Sequence, residues 1–374
     1  MGARNLPRMR VLVVSAPLPG HVLPLVPLSR ALVAAGHDVL VATAADAAST
    51  VRELGLPVED VAPEFDFGAV ARGIMLRHPL VARAELAGNG GTRGVGLLFG
   101  AVNARLVNAV RDVTEQFRPQ VVVAEPLAVA GLIAAAGYGV PAVRHETNLF
   151  DGAELAAAAA GPVLRKLSID RLPEPAAVIQ VLPASVVGER PGWPMRYEAP
   201  APAAVPSWLA ETPNRPRILV SRSTVGGPGN ASIMRPLVIA AAEVDAEIVL
   251  VRPEPGLPAE LPDNVRTIGW VSLDAVLPTC TGIVHHGGAG TVLAAFAAGV
   301  PQLVVPGPGD RRYNAELVAR IGAGLCVSAR EVAAEHLRRL ITDDGLRRVS
   351  VTIQDQLAAR PASAEVAARV ATLG

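Results

Sequence analysis

Two stretches of this sequence put hydrogen-bonding or titratable side chains where a strand runs into a helix. One is His285-His286-Gly287-Gly288-Ala289-Gly290-Thr291, after the apolar run Gly282-Ile283-Val284; the other is Gly20-His21, after Arg10 to Ala16. In an open parallel sheet, ligands bind beyond the carboxyl ends of the strands, where loops enter helix N-termini. Gly287, Gly288 and Gly290 let backbone N–H groups approach a ligand closely, and the helix that starts there brings about half a positive charge to its N-terminus. The combination suits a diphosphate, with Thr291 and His286 adding side-chain donors. No Gly-Lys-Ser/Thr follows and the spacing is not G-x-G-x-x-G, so this is neither a P-loop nor a dinucleotide fingerprint. A purely structural strand-to-helix turn would carry the same glycines.

The elements that must hold these residues follow from hydrophobic periodicity. The run Val11 to Ala16, helical apolar spacing from Val22 through Val33, the stop at Gly36 and the run Val39 to Ala42 read as a β-α-β unit. Similar runs recur at Val121–Val123, Ala142–Val143 and Val178–Val181, which predicts a parallel sheet wrapped by helices. A second series begins at Ile218 and continues through Ile248–Val251, Gly282–His285 and Leu303–Val305. Between the series, Pro183 to Pro216 is crowded with prolines and reads as an interdomain linker. Residues Pro63 to Gly100 break the regularity, mixing Phe65, Phe67, Met75, Leu76 and Leu98 with Gly88, Gly90, Gly91, Gly94 and Gly96. Two readings stand for them: a mobile surface insertion, or a lid or apolar pocket wall.

The glycine turn, with Gly299-Val300-Pro301-Gln302-Leu303 and Pro306-Gly307-Pro308-Gly309-Asp310 after it, resembles the donor-binding signature of family 1 glycosyltransferases of the GT-B fold. Gly20-His21 with Leu23-Pro24-Leu25, and Ala35-Gly36-His37-Asp38-Val39, resemble the same family's N-terminal motif. The likeness spans both halves and is nearest to bacterial enzymes that attach deoxysugars to natural products, enediyne and macrolide pathways included. It implies an α/β GT-B fold of two Rossmann-like, doubly wound parallel-sheet domains facing across a cleft. Residues 1–200 would form the acceptor-binding domain and 201–360 the nucleotide-sugar domain, with a helix at about 360–374 packing back on the first.

Moving a sugar from a nucleotide diphosphate to a hydroxyl needs a base for the acceptor proton and an electrophilic cradle for the departing diphosphate. His21 is the expected base, kept neutral by the positive end of the helix it opens. Glu125, beyond Val121–Val123, is the candidate to hold its other ring nitrogen, against a solvated loop acid. A close Glu125 would raise the histidine pKa and oppose the helix.

The resemblance also implies that Trp270, with Val271, stacks on the nucleotide base; a core tryptophan is the alternative. Ser223-Thr224 stands where similar enzymes have Gly-Thr, so Thr224 would touch a phosphate. Asp310-Arg311 replaces Asp-Gln; Asp310 can accept from sugar hydroxyls, whereas Arg311 cannot accept, which fits a deoxygenated or amino-modified sugar or an arginine turned to solvent. His145 and Glu146, at a strand end, are expected to line the acceptor pocket with Phe65 and Phe67. His37 reads as a turn residue, His78 and His336 as exposed, and His285 as packed.

Composition closes off other classes. With 374 residues, 34 Lys+Arg against 34 Asp+Glu and no long basic run, nucleic acid and anionic membrane surfaces are not expected partners. Cys280 and Cys326 are the only cysteines, too few for a disulfide framework or a Cys-based zinc site. No carboxylate or histidine group has convincing metal-ligand spacing, no cofactor is expected, and no apolar stretch approaches the ~20 residues of a membrane span. The expectation is a cytoplasmic, metal-independent, inverting glycosyltransferase moving a deoxysugar from dTDP to a hydrophobic, polyketide-type aglycone, its oligomeric state open with a homodimer among the options. A non-catalytic nucleotide-sugar-binding auxiliary of a partner enzyme is the alternative. A dehydrogenase would need the glycine fingerprint that is missing.

Overall fold

A computed structural model describes residues 7–86, 91–200, 205–223, 232–307 and 309–374. The chain divides into two units, Met1–Leu182 with Glu189–Pro200 and Arg360–Gly374, and Pro183–Gly188 with Ala201–Ala359. Each is built on one parallel sheet, so the fold is α/β with two Rossmann-like domains.

In the first unit the strands are β1 (Arg10–Val14), β2 (Asp38–Thr43), β3 (Val58–Asp60), β4 (Val121–Ala124), β5 (Ala142–Glu146), β6 (Ala177–Gln180) and β7 (Trp193–Pro194). They lie in the order β3-β2-β1-β4-β5-β6-β7, with Val14 level with Ala42 on one side and Ala124 on the other. Helices cover both faces, which is why β1 and β4 are apolar at nearly every position rather than alternating. Leu12, Val14, Val122 and Ala124 meet Phe99, Val102 and Leu106 of helix Arg93–Phe117 and Leu132 and Ile133 of helix Val129–Gly137 in one core.

The second unit contains β8 (Arg217–Ser221), β9 (Glu247–Val251), β10 (Val265–Ile268), β11 (Gly282–His285), β12 (Gln302–Val304) and β13 (Gly324–Cys326), ordered β10-β9-β8-β11-β12-β13. In both sheets the strand order reverses at the centre, between β1 and β4 and between β8 and β11. Such a reversal opens a crevice at the carboxyl ends of the two central strands.

Three expectations need correction. The helix expected over Val22–Val33 is broken into Pro19–Val22, a 3₁₀ turn at Leu23–Leu25, and Val26–Ala34; Pro24 and Pro27 lack the N–H groups an unbroken helix would use. The segment Pro63 to Gly100 is largely helical, with Phe67–Arg77, Pro79–Leu86 and the start of Arg93–Phe117. Asp66 caps the first of these by accepting from Ala69 N at 2.8 Å. Gly96 and Gly100 are packing residues, since a Cβ there would fall 2.7 Å from Ala158 O and 2.5 Å from Pro162 Cγ.

Nor is Pro183 to Pro216 one linker. Pro183 precedes helix Ala184–Val187 and Pro206 precedes helix Ser207–Ala210. Trp193–Pro194 forms an edge strand, the one place in a sheet that tolerates proline. Helix Ser363–Val370 packs on Val26–Ala34, clasped by Ser363 N and Oγ donating to Glu198 at 2.9 and 2.6 Å and by Arg369 over the Trp193 ring at 4.2 Å. No helix among the described residues is long and apolar enough to cross a membrane.

Candidate active site

The first unit places His21 and Glu125 together. Glu125 follows β4 directly and is 3% exposed. Its Oε1 accepts from Ala16 N at 3.1 Å and its Oε2 from Leu127 N at 2.8 Å, so main chain beyond both central strands holds the carboxylate. It is no solvated loop acid. His21 is the third residue of the four-residue helix Pro19–Val22, and its Nδ1 lies 3.4 Å from Glu125 Oε1. His21 thus does not open a long helix, and the formal charge beside it is the Glu125 carboxylate.

The other wall of this site is aromatic. The Phe99 ring stands 5.2 Å from that of His21, tilted by 46°, and Phe67 stands 5.8 Å from Phe99. Phe65 and Phe67 pack, partly buried, against the core cluster. Sequence reasoning missed Phe99 because it sits among glycines in a stretch without evident period. Its signal was the helical spacing of Phe99, Val102, Leu106 and Val110 further along.

His145 and Glu146 do not share this surface. His145 is 0% exposed, with no hydrogen-bond partner for either ring nitrogen among the described residues, and burial pushes its pKa down to about 4. Glu146 is bound by Arg144 Nε at 2.6 Å and Gln180 Nε2 at 3.0 Å, beneath Gly152 of helix Gly152–Leu167. The next helix covers this strand end, so neither side chain lines an open pocket. Arg190, another residue the sequence did not flag, donates to the carbonyls of Leu149 at 2.8 Å and Phe150 at 3.1 Å and so ties down the loop that follows β5. Of the other histidines, His37 follows the turn at Gly36 and is buried there, accepting from Met9 N through Nδ1, while His78 and His336, expected to be exposed, are half-buried.

The second unit gathers most of the expected donor residues at the β8–β11 crevice. Gly287 adopts φ +89°, a left-handed conformation, and a Cβ there would lie 2.6 Å from Arg311 O. Its N–H donates to His285 Nδ1 at 3.1 Å, which leaves the proton on His285 Nε2 to donate to Gln302 Oε1 at 2.9 Å. His285 is therefore a neutral brace, its pKa lowered by burial to about 4. Gly288 caps helix Ala289–Ala297 by accepting from Thr291 N and Val292 N. The amides of Gly288, Ala289 and Gly290 donate to no acceptor among the described residues. Three such donors in a row at a helix start form an anion cradle.

His286 flanks that cradle. Burial, then the charge of Arg311, with His285 and Arg252 adding, pushes its pKa down to about 3, so the ring is neutral. A side chain at 288 would fall 2.6 Å from His286 Nε2, so the glycine makes room for the imidazole. Thr291 is half-buried on the helix's first turn. Arg311 is not turned to solvent: it donates from Nη2 to Ser223 Oγ at 3.0 Å, linking the helix Asp310–Arg320 to the end of β8. Thr224 lies outside the described residues. Asp310 is exposed and accepts from Asn314 at 3.1 Å. Trp270 is 71% exposed, which excludes the core alternative, while its neighbour Val271 is buried. No group of three His, Cys, Asp or Glu side chains among the described residues could hold a metal ion.

Family models described as erythromycin biosynthesis protein CIII-like, N-terminal and C-terminal domains, match residues 30–223 and 235–373. An L-demethylnoviosyl transferase of Streptomyces niveus is 37% identical over 381 residues, spanning 96% of this chain and 97% of that one. Among solved structures, the glycosyltransferase SnogD from Streptomyces nogalater superposes with a TM-score of 0.79 at 32% identity, covering 98% of this chain and 100% of its own. The Streptomyces sp. SF2575 glycosyltransferase SsfS6, complexed with thymidine diphosphate, gives 0.81 at 28% identity, with 98% and 100% covered.

Proposed function

Because the chain belongs to the erythromycin biosynthesis protein CIII-like family and is a glycosyltransferase of the GT-B fold, we propose that it transfers a deoxysugar from dTDP to a hydroxyl of a hydrophobic, polyketide-type aglycone, with inversion and without a metal ion. The observation that carries the donor half is the row of open amides at Gly288, Ala289 and Gly290. They meet the charge that develops on a departing diphosphate, with His286 and Thr291 as side-chain donors, the task a metal performs elsewhere. Trp270 offers an exposed face to the base, and the thymidine diphosphate in the SsfS6 structure supports a thymidine nucleotide. Asp310 accepts from sugar hydroxyls.

Residues 1–200 bind the acceptor. His21 takes the hydroxyl proton on Nε2 while Glu125 receives the Nδ1–H and stabilises the imidazolium that forms. The acceptor oxygen attacks the anomeric carbon as the bond to the diphosphate oxygen breaks, and displacement from the opposite side inverts the centre. Phe99 and Phe67 supply an apolar wall beside the base, suited to an aglycone of low polarity.

Incubating the protein with dTDP-deoxysugars and a panel of polyketide aglycones, with and without EDTA, tests this. A glycoside with inverted anomeric configuration, formed equally well with chelator, is expected. Nucleotide binding with no transfer to the panel, or a product of retained configuration, overturns the reading.

A further inference from the structure

Asn314 sits on helix Asp310–Arg320, 1% exposed, and its side-chain nitrogen donates twice. One bond runs to Gly287 O at 2.8 Å, the other to Asp310 Oδ2 at 3.1 Å. A carboxamide NH₂ has two hydrogens, so both are used. The first bond fixes the direction of a peptide plane. In a trans peptide the C=O of Gly287 and the N–H of Gly288 point opposite ways. Drawing that carbonyl onto the buried Asn314 turns the Gly288 N–H away from the helix, at the head of the row of open amides. The Gly287 N–H is held separately by His285 Nδ1 at 3.1 Å, so the left-handed residue is pinned on both sides.

We propose that Asn314 is a positioning residue that orients the diphosphate cradle and the sugar-facing carboxylate of Asp310 as one unit, from a single buried amide group. This rests on the donor reading above. The two ends of the donor are thus set relative to each other before it arrives, which lowers the ordering cost of binding.

Calorimetry of dTDP and of thymidine, far below the melting temperature, tests the assignment on Asn314→Asp and Asn314→Ser. The first keeps the shape and removes both donors; the second keeps one hydrogen and can serve only one acceptor. Asn314→Asp is expected to weaken dTDP binding roughly ten-fold or more while thymidine binding stays within about two-fold, with Asn314→Ser in between. Acidification should restore part of the loss in Asn314→Asp, because the protonated carboxyl regains one donor. A structural role alone would lower the melting temperature and leave the ratio of the two affinities unchanged. That result in either folded variant overturns the role of Asn314 and leaves the donor reading standing. Failure of the unsubstituted protein to bind dTDP overturns both.

Discussion

His21 Nδ1 stands 3.4 Å from Glu125 Oε1, and main-chain amides hold both oxygens of that carboxylate independently of the histidine, Ala16 N on Oε1 and Leu127 N on Oε2. The carboxylate is thus fixed to the ends of β1 and β4, with the imidazole beside it. In the proposed mechanism this leaves Nε2 to act on the acceptor. General-base catalysis contributes about 10²–10⁴-fold, so His21→Ala is expected to lose roughly two orders of magnitude or more in turnover. Its stabilisation by dTDP should persist, because the cradle belongs to the other unit. Turnover close to that of the unsubstituted enzyme would remove His21 from the chemistry.

Glu125→Gln separates the electrostatic role from the scaffold. A carboxamide accepts at one end only, so its NH₂ must face one of the two main-chain donors. A buried donor left unsatisfied costs about 1–3 kcal/mol, which should appear as a lower melting temperature. Turnover should also fall, since a neutral side chain cannot stabilise imidazolium, while the KM for the sugar donor stays near its original value. Glu125→Gln with unchanged kcat would reduce the carboxylate to a scaffold element.

Trp270 exposes 71% of its surface, more than any stability argument needs from a tryptophan. Removing it should leave the fold nearly untouched and cost the stacking on the nucleobase, about 1–3 kcal/mol. Trp270→Ala is expected to weaken dTDP by that amount and inorganic diphosphate not at all, with Trp270→Phe retaining part of the affinity. Equal weakening of both ligands would show that the ring does not read the base.

What could be read from the sequence was whatever periodicity and local chemistry encode. The apolar runs gave the central strands, and the glycines after Val284 marked the turn that the structure finds with open amides. The failures share a cause. A strand-end position says how far along the sheet His145 and Glu146 lie, and nothing of the helix that covers them. Asn314 acts on a carbonyl 27 residues earlier, a relation with no local signature. Phe99 was hidden because glycine reads as loop, although Gly96 and Gly100 are there to let two helices touch.

Buried neutral histidines give the fold a defined acid limb. Burial lowers His145 and His285 to about 4, and burial with the Arg311 charge lowers His286 to about 3, each from an ordinary value of 6.5. Between those values the unfolded chain binds protons that the folded chain does not. Stability is therefore full above about pH 6.5 and falls as the pH drops, by about 1.4 kcal/mol per unit per histidine. Melting temperatures from pH 7.5 to 5 should show this loss. His145→Leu should melt no lower than the original at pH 7.5, since its ring nitrogens have no hydrogen-bond partner among the described residues, and should flatten the limb. A large drop at pH 7.5 would reveal a partner for the ring.

The Arg144–Glu146 pair decides whether this end of β5 is scaffold. Arg144 Nε meets Glu146 Oε1 at 2.6 Å with the two side chains 11% and 3% exposed, and Gln180 occupies the other oxygen. Removing one partner of a buried pair leaves an uncompensated charge and costs about 3–5 kcal/mol, so Arg144→Met should be severely destabilised. Adding Glu146→Gln removes the orphaned charge while keeping the shape beneath Gly152, and should recover most of the melting temperature. If the double variant also regains turnover with unaltered acceptor KM, Glu146 is a packing residue. A double variant that folds as well as the original but fails to take the aglycone would return Glu146 to the acceptor site despite its burial.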